Sequence, residues 1–252
     1  MYVLEIKKVK KIYSSANFSS KALDNVSFNI ESGDYVAIMG PSGSGKTTLL
    51  NCISTFDKVT SGNIYINSQD ITEFKKSQIY SFRRNELGFI HQEYNLLNNM
   101  TVYDNIAIAL TIKESKSEDI ERKVLQISHL LEIDKILDKY PLDISGGERQ
   151  RCATARALIK EPSIVLADEP TGALDYGNTK TFLKLLQKIN NSLHSTILMV
   201  THDSFSASFS KRVLFLKDGK IFNELYRGGL PQKQYYRDIL KIISIMGDGI
   251  DD

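Results

Sequence analysis

The 252-residue chain carries 32 basic and 30 acidic residues, a formal net charge of +2, so it announces no general polyanion-binding surface. Apolar residues make up 42% and charged residues 25%, ordinary for a globular protein with a sizeable core. Its two cysteines, Cys52 and Cys152, lack metal-ligand spacing and suggest neither a zinc site nor a disulfide framework. The start MYVLEIKKVKK has no apolar core of signal-peptide length, and no uncharged apolar run approaches the ~18 residues of a spanning helix. A reducing cytoplasm is therefore expected, with any action at a membrane exerted through another chain.

Leu4 to Val9 reads as a first strand, and Val26, Phe28 and Ile30 alternate as a second, closed by the turn Glu31-Ser32-Gly33-Asp34. Between them stand Tyr13 and a polar loop, Ser14 to Ser20. An aromatic there either stacks on an adenine face or caps a sheet edge, and the residue types leave both open.

The apolar run Tyr35 to Met39 predicts a short buried strand. It leads into Gly40-Pro41-Ser42-Gly43-Ser44-Gly45-Lys46-Thr47, after which Thr48, Leu49, Leu50, Cys52 and Ile53 recur at helical spacing. Strand, glycine loop and helix is the context a phosphate-binding loop needs. Gly43 and Gly45 let successive backbone N–H groups turn inward onto phosphate oxygens, and the helix start adds its positive dipole end. Lys46 supplies a charge for the outer phosphates, and Thr47 a hydroxyl suited to Mg²⁺.

A short strand follows, Asn63 to Asn67, then a charged, exposed helical segment to Arg84. The strand Leu87 to Ile90 runs into His91-Gln92-Glu93-Tyr94, which puts polar side chains where open α/β sheets bind ligands and makes Gln92 a candidate. From Thr101 to about Asp143 no strand pattern is found. Thr101 and Asp104 resemble a capping box, and Val124, Ile127, Leu130 and Leu131 fall on one helical face. The simplest organisation is a helical lobe inserted into an α/β core.

ISGGERQR, Ile144 to Arg151, opens an alanine-rich helix whose Ser145, Gly146 and Gly147 form either an N-cap or a second anion-binding device. The strand Ser163 to Ala167 delivers Asp168 and Glu169. Two carboxylates beside a phosphate loop can divide labour between a magnesium shell and an attacking water. Pro170 and Gly172 then turn the chain towards Leu174 and Asp175, ahead of an amphipathic helix over Thr179 to Ser192. Another buried strand, Ile197 to Val200, ends in Thr201-His202-Asp203, so His202 belongs to the same end of the sheet as the carboxylates. A hairpin about Asp218-Gly219 and a helix bearing Ile239, Leu240, Ile242 and Ile243 close the chain.

In this order, Tyr13, GPSGSGKT, Gln92, ISGGE, SIVLADEP, GALD and His202 resemble the nucleotide-binding subunit of an ATP-binding cassette (ABC) transporter, over about residues 4 to 225. The resemblance implies an α/β fold, a P-loop NTPase core with a mixed sheet, an N-terminal antiparallel β subdomain and an inserted helical subdomain. The core would take 1–91 and 144–252, the helical subdomain 92–143. It also implies an ATPase that binds ATP and Mg²⁺. Tyr13 resembles the adenine-stacking aromatic, Gln92 the loop glutamine that joins the metal ion and couples to the membrane partner. Asp168 resembles the magnesium-shell aspartate, Glu169 the general base and His202 the contact to the terminal phosphate. Ser145, Gly146 and Gly147 would act on ATP held by a second copy, with Asp175 also at the nucleotide. Ile144 and Glu148 stand where many relatives carry Leu and Gln.

Within the family, GFIHQEYNLLNNMTVYDNI, LADEPTGALD and LFLKDGKIFNELYRGG are similar to bacitracin-type antimicrobial-peptide exporters. That implies two copies on a membrane permease at the cytoplasmic face, a link to a two-component sensor kinase through that permease, and no nucleic acid. Lipoprotein-release or macrolide-type export and a cell-division regulator are the alternatives. A GTPase switch is disfavoured: Asp143 to Gly146 fits D-x-x-G, but no guanine-reading N-K-x-D or T-K-x-D exists in the chain.

Overall fold

The computed structural model describes residues 1–15, 18–113 and 116–247. The chain opens with a long hairpin, β1 (Tyr2–Ser15) and β2 (Phe18–Glu31). The polar stretch Ser14 to Ser20, expected as a loop, is mostly strand: Tyr13 pairs with Ser20 and Ser14 with Ser19. Residues 16 and 17 of that stretch lie outside the described residues. Alternation fails as a guide there because the outer reach of a two-stranded ribbon covers no core and is free to be polar.

The central strand β3 (Tyr35–Met39) is buried along its whole length and is followed by α1 (Lys46–Ile53). Next come β4 (Ser61–Ile66), the two-residue β5 (Gln69–Asp70), α2 (Lys76–Asn85) and β6 (Leu87–Ile90). Two helices, α3 (Val102–Thr111) and α4 (Ser117–Leu130), precede α5 (Gly146–Leu158), and no strand lies between β6 and α5 among the described residues. Thr101 caps α3 in a capping box closed by Asp104. The chain finishes with β7 (Ile164–Asp168), α6 (Tyr176–Leu193), β8 (Ile197–Val200), α7 (Ser204–Ala207), β9 (Arg212–Lys217), β10 (Lys220–Tyr226) and α8 (Gln232–Gly247).

Two sheets result. The smaller has the order β2-β1-β4-β5 and is antiparallel; the larger has the order β10-β9-β3-β8-β7-β6. Within the larger, β9, β3, β8, β7 and β6 are parallel and β10 runs antiparallel at one edge, so the sheet is mixed, as expected. Side chains of β3 alternate between two cores. Tyr35, Ala37 and Met39 join the apolar cluster made with α3 to α6 and α8, whereas Val36 and Ile38 join the cluster made with α1 and the small sheet. A strand covered on both faces is apolar at every position, which is why this run is continuous.

Helix α5 lies close against β6 at Gly88. A methyl added there would sit 2.8 Å from the Ala157 carbonyl oxygen, 3.0 Å from Pro162 Cγ and 3.2 Å from Val165 Cγ2. Gly88→Ala is expected to lower stability by about 1–3 kcal/mol through overpacking. Unchanged thermal melting of the variant would refute this account of the helix–strand contact.

Candidate functional site

The sheet places the site at the carboxyl ends of β3, β7 and β8. Parallel register aligns Ile38 with Val200 and Val200 with Asp168. The row continues through Thr201 N–H donating to the Ile38 carbonyl at 3.1 Å and Glu169 N–H donating to the Val200 carbonyl at 2.9 Å. The residues just beyond that row are the glycine loop, Glu169 and His202.

In the loop, Gly43 and Gly45 take φ of +79° and +102°, a left-handed conformation open to glycine at low cost. Gly45 caps α1 without a side-chain bond, leaving the first N–H groups of the helix unspent on side chains. Ser44 Oγ is buried and without a partner among the described residues. Lys46 is buried and donates to the carbonyls of Gly40 and Pro41, both at 2.8 Å. Burial holds its pKa below the usual lysine value, against the opposing pull of the Glu169 and Asp168 carboxylates. Lys46 thus has hydrogen bonds and, among the described residues, no contacting counter-ion, a state that suits an arriving anion. An orphaned hydroxyl, inward-turned backbone and a cation resting on carbonyls fit a nucleoside polyphosphate.

A pocket of about 530 Å³ opens over this loop, lined by Ser42, Gly43, Gly45, Lys46, Thr47 and Thr48. Glu169 and His202 complete the lining from the sheet, and Ser20, Lys21 and Ala22 from β2. The β2 residues were missed by sequence reasoning. No motif marks them, and only the pairing of β2 on β1 carries them over the loop.

Glu169 has φ of +42°, uncommon for a side chain of its type, and its Oε1 lies 2.9 Å from Nδ1 of the exposed His202. Asp168, the last residue of β7, is half-buried. Burial and then the neighbouring Glu169 charge push its carboxyl pKa up, while Lys46 pulls it down. Gln92 is exposed in the turn after β6 and rests against Gly172, where an added methyl would meet its Nε2 at 2.7 Å. Thr47, Gln92 and Asp168 offer hard oxygen donors. No group of three or more His, Cys, Asp or Glu side chains capable of holding a metal occurs among the described residues. That donor set fits Mg²⁺, which takes few protein ligands and completes its shell with nucleotide and water oxygens.

Tyr13 lies on β1 and is 42% exposed, its hydroxyl donating to Asp57 Oδ2 at 2.6 Å and Lys11 Nζ lying 4.6 Å from the ring centroid. The other expected residues are elsewhere. Ser145 is exposed at the start of α5, where its Oγ–H donates to Glu148 Oε2 at 2.7 Å and its N–H to the same oxygen at 2.8 Å. These bonds hold the Glu148 carboxyl pKa below its ordinary value. Ser145 is thus a full capping box, and the cap reading of the sequence is realised whatever else the serine does. Gly147 packs beside Asn178, Gly146 beside the Tyr94 hydroxyl, and Asp175 caps α6 by accepting from Asn178 N at 2.9 Å. None of Ser145, Gly146, Gly147 or Asp175 lines the phosphate-loop pocket of its own chain.

Comparison with known proteins agrees with this geometry. Residues 23–172 match the family model described as ABC transporter. The chain is 46% identical to the ABC transporter ATP-binding protein YxdL of Bacillus subtilis, over 99% of this chain and 96% of that protein. It is 43% identical to the bacitracin export ATP-binding protein BceA of Halalkalibacterium halodurans, over 98% of each. Among solved structures, the dimeric ATP-binding cassette MJ0796, bound to ADP and Pi in a post-hydrolysis state, superimposes with a TM-score of 0.81 at 36% identity, covering 90% of this chain and all of that one.

Tyr13→Ala separates stacking from edge capping. If the ring stacks on the base, the variant loses affinity for ATP by about ten-fold and little for inorganic tripolyphosphate, as measured by competitive titration. Equal losses for both ligands would leave Tyr13 a structural residue.

Proposed function

The chain belongs to the ABC transporter family, and from that premise we propose that it is the ATPase of an antimicrobial-peptide exporter, working as two copies on a membrane permease. The observation that carries the proposal is the division of the site. One chain offers the phosphate loop, Glu169 and His202 in a single pocket, while its Ser145-Gly146-Gly147 helix start faces elsewhere. Two copies placed head to tail would let each helix start close on the nucleotide of the other.

In this reading ATP enters on the glycine loop and Lys46 exchanges the Gly40 and Pro41 carbonyls for phosphate oxygens. Tyr13 stacks on the base, and Ser42, Ser44 and Thr48 add polar contacts. Ser145 and Gly147 of the second copy donate to the outer phosphate, with Asp175 beside them. Glu169 accepts the proton of the attacking water as that water's oxygen bonds to the terminal phosphorus, and the bond to ADP breaks. His202, already hydrogen-bonded to Glu169, holds that carboxylate in position and meets the released phosphate. Mg²⁺, held by Thr47, Gln92 and Asp168, would neutralise charge on the outer phosphates. Hydrolysis removes the group both copies grip, and the pair opens. Residues 92–143 then move as a lobe against the core of 1–91 and 144–252, and the permease follows.

The export assignment rests on likeness to the bacitracin exporter's ATPase over nearly the whole of both chains, well past the region of the family model. No helix of the described residues is long and apolar enough to cross a membrane. In the proposed assembly the chain sits on its permease at the cytoplasmic face. A two-component sensor kinase reaching it through the permease completes the assembly. Nucleic acid has no part in it.

Glu169→Gln is expected to bind ATP and dimerise while losing turnover by at least about a hundred-fold. Mixing a Ser145→Ala copy with a Lys46→Ala copy should restore one working site per pair. Normal hydrolysis by Glu169→Gln would refute its role as the base, and no recovery on mixing would refute the shared site. Reconstituted with its permease, the protein should hydrolyse ATP faster when bacitracin is added. A rate unmoved by bacitracin and related peptide antibiotics would refute the substrate class and leave the ATPase standing.

A further inference from the structure

Lys21 on β2 lines the phosphate-loop pocket but belongs to none of the motifs that mark it. Its ammonium lies 3.2 Å from Asp24 Oδ2, and Lys220 Nζ stands 3.4 Å from the same oxygen. One carboxylate oxygen therefore serves two cations whose like charges oppose each other. The two are not equivalent. Among the described residues the pocket lining includes Lys21 but neither Asp24 nor Lys220, so only one of the pair can turn from the carboxylate to an occupant.

The carboxylate itself is fixed relative to the loop. Asp24 N–H donates to the Gly219 carbonyl at 2.8 Å and Gly219 N–H to the Ser44 carbonyl at 3.1 Å, so two backbone bonds join β2 to the glycine loop through the turn between β9 and β10. The approach is close. A methyl on Gly219 would sit 2.8 Å from the Ala22 carbonyl oxygen, and one on Gly45 would overlap that same oxygen. Lys21 is thus carried on a backbone locked to the loop, while its own tie is loose: the side chain is 52% exposed, and an ion pair so exposed contributes little.

The strands also fix its place along the site. Ser20, the residue before it, is the cross-strand partner of Tyr13, and Ala22, the residue after it, abuts Gly45 at the start of α1. Lys21 therefore falls between the expected base site and the glycine loop. A nucleotide lying from Tyr13 to Lys46 has its innermost phosphate there.

We propose that Lys21 is a nucleotide ligand: when a nucleoside di- or triphosphate arrives, its ammonium leaves Asp24 for an oxygen of the α-phosphate, and Lys220 stays behind as the counter-ion of Asp24. The proposal rests on the reading of the glycine loop as the nucleotide site and adds a second cation to it. The exchange leaves no charge unpaired, and it replaces an oxygen divided between two ammonium groups with a phosphate oxygen in a charge-assisted hydrogen bond. The α-phosphate is common to ATP and ADP and is not the group transferred, so Lys21 acts on affinity rather than on bond breaking. Asp24 becomes the nucleotide's competitor for Lys21.

Equilibrium titration of the full chain with ATP and with ADP tests this. Lys21→Met should weaken both by the same factor, about five-fold or more, with the loss in turnover falling on KM rather than kcat, and Lys21→Arg should recover most of it. Asp24→Asn should act in the opposite direction, tightening ATP by about two-fold or more, and should have no effect once Lys21 is Met. An ion pair that only supports the fold would make both single variants weaken binding, or neither. Unchanged affinity in Lys21→Met, a loss confined to ATP, weaker binding in Asp24→Asn, or an Asp24→Asn effect that persists without Lys21 would overturn the proposal. Those outcomes, with ATP binding lost in Lys46→Ala, refute the role of Lys21 alone. ATP binding intact in Lys46→Ala refutes the nucleotide site on which the proposal rests.

Discussion

The structure depends on the parallel register of β3, β8 and β7. Because Ile38, Val200 and Asp168 form one row, the chain leaves three buried strands at the same height, and the glycine loop, His202 and Glu169 meet there. The row is fixed by burial rather than by polar contacts. Val36 and Ile38 fill one core while Tyr35, Ala37 and Met39 fill the other, so a two-residue slip would pull Asp168 and Glu169 away from Lys46 without gaining apolar burial. A one-residue slip would exchange the two cores' side chains. The spacing of Lys46, Asp168 and Glu169 is therefore inherited from apolar packing.

This explains which parts of the molecule were legible in the sequence. Tyr35–Met39, Leu87–Ile90 and Ile197–Val200 coincide with their apolar runs end to end, since a strand covered on both faces has no other way to be written. The glycine loop was legible because its backbone demands glycine at Gly43 and Gly45. The outer half of the β1–β2 hairpin was not, because its residues answer to solvent and to each other. With it went the approach of Ser20, Lys21 and Ala22 to the phosphate loop. Nor was the left-handed backbone of Glu169 readable, since it is imposed by the hydrogen bond to Val200 and the turn through Gly172, not by the glutamate.

Ser145 marks a different limit. Ser-Gly-Gly-Glu reads equally as a cap and as an anion site, and within one chain the cap is what forms, with Glu148 taking the hydroxyl and the backbone N–H together. A capping box satisfies the same donors a phosphate would use, so in the proposed pair an incoming nucleotide must displace one carboxylate oxygen from Ser145. Glu148 in place of a neutral glutamine makes that exchange one of anion for anion, and it occurs at an exposed helix start where the released carboxylate can turn to water.

Lys46 at the start of α1, Arg156 on α5 and Lys160 just after it share one electrostatic device. Lys46, Arg156 and Lys160 all rest on backbone carbonyls, which meet the hydrogen-bonding needs of a half-buried cation but leave its charge uncompensated. An internal carboxylate would stabilise each of them better and would then compete with any ligand. Holding the cations on carbonyls keeps them ordered and available, at the cost of the burial that depresses the pKa of all three. At Lys46 the anion proposed to offset this cost is a phosphate.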